Sequence, residues 1–266
     1  MSGYDFVADR AAGLLARAEA AAARAGRKPS EVAVMAVTKF HPAEAVEAAY
    51  RAGLRLFGES RVQEAEGKFP GFLAEHPDAR LEMIGTLQSN KAKRAAALFS
   101  RIQSVDSEEL LKELDKRARA LGLRLEILLE LHTGEESKAG FPGLDSLFRA
   151  LELYEAFQVG FGAASAAGAA GAAGVTGVAS ASGAAGGSAG LVLRGLMTMA
   201  PYTKDEAPIR ASFRALREAR EAALARFSLP GFDVLSMGMT NDFEAAIEEG
   251  STLVRVGTAL FGSREG

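Results

Sequence analysis

The chain has 266 residues, 31 basic against 34 acidic, a formal net charge of −3 and no cysteine. That balance creates no field to gather nucleic acid or an anionic membrane, and the missing thiols exclude disulfides, thiol nucleophiles and thiolate metal sites. With three histidines a zinc site would need mostly carboxylates, so metal catalysis is not expected.

The N-terminal run Met1-Ser2-Gly3-Tyr4-Asp5-Phe6 has neither a basic nor an apolar stretch, which predicts a cytoplasmic location. Residues 5–25 are strongly helical in composition and read as an extra helix packed outside the main fold. From there, apolar runs alternate with segments rich in Ala, Leu, Glu and Arg. The predicted strands are 31–37, 55–58, 80–85, 101–105, 123–131, 191–197, 234–238 and 252–257, and the helical segments between them include 42–52, 60–75, 90–99, 107–121 and 205–227. Near-continuous apolar strands separated by helices predict a parallel sheet covered on its outside. Eight units suit closure into one α/β domain over 1–266, a single (β/α)8 TIM barrel; a doubly wound open sheet is the structural alternative.

One stretch breaks this alternation. No charged residue occurs from Ala156 to Leu193, and 160–190 is almost wholly Ala, Gly, Ser, Val and Thr. Ala and Gly transfer weakly into lipid and repeated Gly opposes a helix, so a membrane span is not expected. The composition predicts a flexible low-complexity insertion that leaves from the barrel's N-terminal face, away from any ligand.

In such barrels chemistry is assembled at the C-terminal ends of the strands. The first strand runs into Thr38-Lys39-Phe40-His41-Pro42, which places Lys39 at the mouth. A lysine against an apolar strand and Phe40 is partly desolvated, which lowers its pKa and frees its amine to attack an aldehyde. An ordinary solvated loop lysine is the plain alternative. Strand seven ends in Leu235-Ser236-Met237-Gly238-Met239-Thr240-Asn241-Asp242 and strand eight in Val256-Gly257-Thr258. Small hydroxyl residues and glycines at helix starts bind anions, and the loops after strands seven and eight are the recurrent barrel phosphate site. Helix capping by Ser236 and Thr240 explains the same residues without a ligand. Arg255 lies within an apolar strand; a buried guanidinium needs a partner, either inside the barrel or in an outward salt bridge.

Six ordered motifs carry a more specific signal. They are Ala36-Val37-Thr38-Lys39, the run from Phe57 to Glu64, the run from Ile84 to Lys91, the run from Gly134 to Gly140, Gly195-Leu196-Met197-Thr198-Met199, and the stretch from Leu235 to Gly262. Together they resemble the YggS/PROSC family of pyridoxal phosphate homeostasis proteins over nearly the whole chain, the Ala/Gly/Ser segment excepted. The resemblance implies a fold-type III barrel similar to the N-terminal domain of alanine racemase, with pyridoxal 5′-phosphate held as a Schiff base on Lys39. It implies Ser236, Gly238, Gly257 and Thr258 as the phosphate cradle, and Arg255 as the partner of the pyridine nitrogen. A permanent cation there disfavours ring protonation and weakens the ring as an electron sink. The chain departs from the family at Ser60, where Asn is usual, and at Glu82, where His is usual, so contacts near the ring's face and edge are expected to differ.

Racemases on this barrel add a C-terminal β-domain, and this sequence ends at Gly266 soon after strand eight. A racemase also needs a second proton-transfer group; Tyr202 and His41 are the nearest candidates, and each reads as a loop residue. The expectation is a non-enzymatic monomer that buffers or delivers pyridoxal phosphate, with dependent apoenzymes as recipients and no catalytic residue of its own. A single-domain racemase is the rival. A nucleic-acid module built on Lys91, Lys93 and Arg94 is the third class, and three charges on one helix read as a solvated face.

Overall fold

A computed structural model describes residues 3–134, 139–165 and 189–262. Helix α1 (Val7–Arg24) comes first, followed by strand β1 (Ala33–Val37) and α2 (Ala43–Arg51). Then follow β2 (Leu56–Glu59), α3 (Val62–Glu75), β3 (Arg80–Met83), α4 (Ala92–Leu98), β4 (Arg101–Val105) and α5 (Glu108–Ala120). The second half holds β5 (Arg124–Glu130), α6 (Leu144–Ser165), β6 (Gly190–Met197), α7 (Glu206–Arg226), β7 (Val234–Ser236), α8 (Phe243–Glu248), β8 (Leu253–Val256) and α9 (Thr258–Phe261).

The eight strands close in sequence order, each parallel to the next, and β8 pairs back onto β1. The barrel alternative is therefore the one the chain adopts, because each crossover helix buries an apolar stripe against the outside of the sheet. Phe57 of β2 meets Phe69 and Phe72 of α3 with ring centroids 6.0 and 5.4 Å apart, and Leu110, Leu111 and Leu114 seat α5 in the same layer. The predicted strands fall within a few residues of the observed ones. The N-terminal helix packs on the barrel's outside against α8 and α9, helped at the surface by Arg17–Glu244 and Arg24–Glu248 ion pairs of 3.1 and 2.8 Å.

The low-complexity expectation needs a correction at its start. Residues 160–165 continue α6 instead of leaving it, since adding residues to an established helix avoids the cost of nucleation even through Gly160 and Gly162. The rest of the insertion, 166–188, lies outside the described residues.

Inside the barrel a small apolar cluster of Met35, Val37 and Leu253 lies beside a polar lining. Arg101 at the start of β4 meets Glu82 of β3 (3.1 Å) and Glu126 of β5 (2.6 Å), and Glu126 also receives Arg80 and Arg194, each at 2.8 Å. Burial opposes ionisation of Glu126, but Arg101, then Arg80 and Arg194, outweigh it and hold its carboxyl at about 2. This cluster sits toward the N-terminal ends of the strands and leaves the opposite end for the site.

Candidate cofactor site

At the end of β1 the Thr38 N–H donates to Gly58 O (3.0 Å) and its hydroxyl to Glu59 Oε1 (2.7 Å). Lys39 follows, half-buried. Phe40 then takes a left-handed backbone, φ 65°, a conformation that costs an L side chain about 1–2 kcal/mol. The turn closes where His41 N–H donates to Thr38 O (3.0 Å), and the His41 ring packs on Phe261 with centroids 4.8 Å apart. Phe40, expected to shield Lys39, is instead 46% exposed, with the Arg61 guanidinium 5.0 Å from its ring centroid. The left-handed φ swings that side chain outward.

The pairing of β1 with β8 sets Ala36 beside Val256, so Lys39 and the Gly257-Thr258 turn emerge in the same sector of the mouth. A Cβ on Gly257 would lie 3.2 Å from Val37 O, closer than most side chains tolerate. Gly257 is the N-cap of α9 and Thr258 its first residue. The Thr240 hydroxyl accepts from Ala259 N–H (3.4 Å) and joins the loops after β7 and β8. Gly238 has φ 97°, and a Cβ there would stand 2.5 Å from Ala246 Cβ, so only glycine lets α8 press on the end of β7. Asp242 accepts the Met239 N–H (2.5 Å) at the start of α8.

Ser236 does not cap that helix. Its hydroxyl turns into the barrel and donates to Gln103 Oε1 (2.6 Å), while Gln103 Nε2 donates to Glu82 Oε2 (2.6 Å). Arg255 points inward too, which decides between its two readings. Its Nη1 donates to Ser236 O (2.8 Å) and Oγ (2.6 Å), and its Nη2 to Thr198 O (2.8 Å). Among the described residues these bonds use three of the guanidinium's five N–H donors. Burial draws Arg255 down to about 10, against the field of Glu130, and it stays cationic at neutral pH.

Two groups escaped the sequence reading. Glu130, the last residue of β5, is buried, and desolvation pushes its carboxyl up to about 7 despite Arg255, with Asp106 adding to the rise. Gln103 links Glu82 to Ser236 across the barrel. A polar residue inside an apolar strand was the available signal for Gln103, and a charged residue at a strand's C-terminal end was the signal for Glu130. Of the departures noted above, Ser60 packs against Gly85, where a Cβ would stand 2.5 Å from Ser60 O, and Glu82 is tied to Arg101 and Gln103 inside the barrel. Tyr202 is 88% exposed, as a surface loop residue should be. Residues 135–138 of the Gly134 to Gly140 motif lie outside the described residues.

The sequence profile of the alanine racemase N-terminal domain family matches residues 13–161 and 171–265. The pyridoxal phosphate homeostasis protein of Vibrio cholerae is 34% identical over 255 residues, covering 95% of this chain and 94% of its own. The protein of the same name from Pseudomonas aeruginosa is 36% identical over 265 residues, 97% and 96% of the two chains. Among solved structures, a protein of unknown function from Bifidobacterium adolescentis superposes with a TM-score of 0.82 at 31% identity, covering 98% of this chain and 97% of its own. PipY of Synechococcus elongatus, with PLP bound, does so at 0.74 and 33% identity over 96% and 100%. The alanine racemase of Bacillus anthracis shares the fold alone, with a TM-score of 0.63 at 15% identity over 97% of this chain and 57% of its own. By profile, sequence and barrel alike, this chain belongs to the alanine racemase N-terminal domain family, and within it to the pyridoxal phosphate homeostasis proteins.

Proposed function

We propose that the chain binds pyridoxal phosphate through the Lys39 amine and buffers or delivers it without turning over an amino acid. The observation that carries this reading is the convergence of Lys39, the Gly257-Thr258 turn and the inward Arg255 at one sector of the mouth. The donor set fits the cofactor. Lys39 supplies a primary amine for an aldehyde, and glycine-lined turns at helix starts admit a phosphate close to backbone N–H groups. Arg255 carries N–H donors beyond the three its bonds use and a charge buried among carbonyl and hydroxyl oxygens, suited to a ring nitrogen that accepts a hydrogen bond.

When bound, pyridoxal phosphate supplies an electrophilic aldehyde and a ring able to draw electrons from a linked amine. The protein's own residues temper that ability. Arg255 stays protonated at neutral pH and is too weak an acid to give its proton to the ring, so the electron-withdrawing form is disfavoured. Ser236 fixes the guanidinium and is itself fixed by Gln103, which makes the arrangement rigid before any ligand arrives. In the phosphate cradle we assign Gly238, Gly257 and Thr258 to direct contact, and Ser236 to a contact that also orients Arg255.

Carriage in place of turnover is supported by the naming of relatives that match almost end to end, against racemases that match in fold only. On this reading residues 1–266 form one functional domain and act as a monomer, with pyridoxal-phosphate-dependent apoenzymes receiving the cofactor in the cytoplasm. Among the described residues no helix is long and apolar enough to cross a membrane. The test is the visible absorption of purified protein, followed by borohydride reduction and peptide mapping. A band that fixes label on the Lys39 peptide and vanishes in Lys39→Ala supports the assignment; a colourless wild type, or a band that survives Lys39→Ala, overturns it.

Glu130 gives the racemase reading its one specific support, because a carboxyl poised near 7 at the mouth can exchange a proton at neutral pH. Loss of α-deuterium from an amino acid, abolished by both Lys39→Ala and Glu130→Gln, would establish that rival.

A further inference from the structure

We propose that Lys68 is the positioning residue for Lys39: its ammonium locks the turn that carries the Lys39 amine and so sets how long pyridoxal phosphate is retained. The inference rests on the reading of Lys39 given above.

Lys68 lies on α3, and its side chain is only 10% exposed. Its Nζ donates to Thr38 O and to His41 O, each at 2.9 Å, the two carbonyls that bracket Lys39 and Phe40. It also donates to Glu64 Oε1 (2.8 Å) and pairs with Glu59 Oε1 at 2.6 Å. The two carboxylates reach the same turn. Glu64 Oε1 accepts the Phe40 N–H (2.5 Å), and Glu59 Oε1 accepts the Thr38 hydroxyl (2.7 Å). One ammonium and two acids therefore gather the polar groups on both flanks of Lys39.

The chemistry of the site requires a lysine. An ammonium presents three donors from a single point, which suits acceptors converging from several sides, whereas a guanidinium spreads its donors across a planar fork. The surroundings are costly without it. Glu59 is wholly buried, its Oε2 has no hydrogen-bond partner, and burial raises its carboxyl above the ordinary range even beside Lys68. Removing the cation strips that buried acid of its countercharge and takes one hydrogen bond from each of the two carbonyls.

The lock bears on retention because the turn is strained. Phe40 holds φ 65° in a sterically disfavoured region, and such a conformation persists only while its surroundings over-determine it. Once the two carbonyls are released the turn relaxes, the Lys39 amine samples several positions, and the covalent link loses its preset geometry.

The experiment compares cofactor-loaded wild type, Lys68→Met, Lys68→Arg and Glu64→Gln. The readouts are the visible band and the rate at which pyridoxal phosphate passes to excess hydroxylamine, with thermal melting measured alongside. Lys68→Met should shift the band and speed release about tenfold or more, the change expected when bonds together worth one decade are lost. Lys68→Arg should not restore the wild-type rate. Glu64→Gln, on a half-buried side chain, should speed release by about threefold with a nearly unchanged melting temperature, which a purely structural role would not produce. A wild type with its band, whose Lys68→Met and Glu64→Gln variants release at the wild-type rate, overturns the inference and leaves the Lys39 assignment standing. A wild type without a band overturns that assignment first. If Lys68→Met does not fold, Glu64→Gln alone decides.

Discussion

Glu126 and Glu130 stand on the same strand, yet their carboxyls are driven in opposite directions, Glu126 to about 2 and Glu130 to about 7. Both are desolvated. The difference is that Glu126 meets Arg101, Arg80 and Arg194 directly, whereas among the described residues the Glu130 carboxyl makes no ion pair or side-chain hydrogen bond and only feels Arg255 at a distance. The barrel thus keeps an ionised, arginine-paired carboxylate toward the N-terminal end and a titratable carboxyl at the mouth.

The raised carboxyl predicts a loss of stability with rising pH. Folded Glu130 binds its proton more tightly than the unfolded chain, so its cost is absent below the unfolded value of 4.5 and accumulates up to about 7. The full shift corresponds to on the order of 3 kcal/mol. Glu130→Gln cannot ionise, so in the cofactor-free protein it should be the more stable form at pH 8 and nearly equal to wild type at pH 4.5. Urea unfolding at the two pH values checks this; equal differences at both would refute the assignment.

Glu126 predicts the reverse. Its depressed carboxyl stabilises the fold above 4.5, and that contribution disappears as pH falls toward about 2. Glu126→Gln should cost on the order of 3 kcal/mol at pH 7, since it leaves the buried Arg101 short of a countercharge, and progressively less in acid. Acid unfolding monitored by circular dichroism should show the wild-type advantage closing below pH 4.

The Ser236–Arg255 pair predicts a change in cofactor binding that exceeds the change in stability. Ser236→Ala removes the hydroxyl that receives Arg255 Nη1 and strands Gln103 Oε1 inside the barrel, a loss of about 1–3 kcal/mol. Arg255 keeps its bonds to two carbonyls, so the fold should survive. With the guanidinium free to tilt, affinity for pyridoxal phosphate should fall by at least tenfold, measured by equilibrium dialysis against wild type. Unchanged affinity would remove Ser236 from the site.

The barrel and its mouth were legible because they depend on local pattern. The apolar runs placed the strands, strand order followed from alternation with helices, and Lys39, Gly257 and Thr258 were found at strand ends by counting. The unread parts depend on which way one side chain turns. Alternation alone left Arg255 free to face either side, and nothing local says that Ser236 faces Gln103 and not the helix start beside it. Lys68 was hidden for the same reason. On α3 it reads as one more solvated helical lysine, and only the closed barrel brings the 38–41 turn down onto its ammonium.

Glycine positions separate steric necessity from convenience. At Gly195 the backbone has φ 153°, and a Cβ would stand 1.9 Å from Val234 O, on a sheet carbonyl that cannot yield. The residue sits where the pairing of β5 with β6 shifts register between Ile127 and Leu128 opposite it, three residues before the Thr198 carbonyl that receives Arg255. Gly195→Ala must therefore push β6 and β7 apart, costing about 3 kcal/mol or more, and should loosen Arg255 as well. Gly67 offers the contrast. It lies within α3, and a Cβ added there would meet nothing within 4 Å, so Gly67→Ala should raise stability by about 0.5–1 kcal/mol through helix propensity alone. Paired urea titrations at pH 7, with pyridoxal phosphate affinity measured on the same samples, test both. Gly195→Ala should lose in both measurements, and Gly67→Ala should gain in stability with no change in affinity.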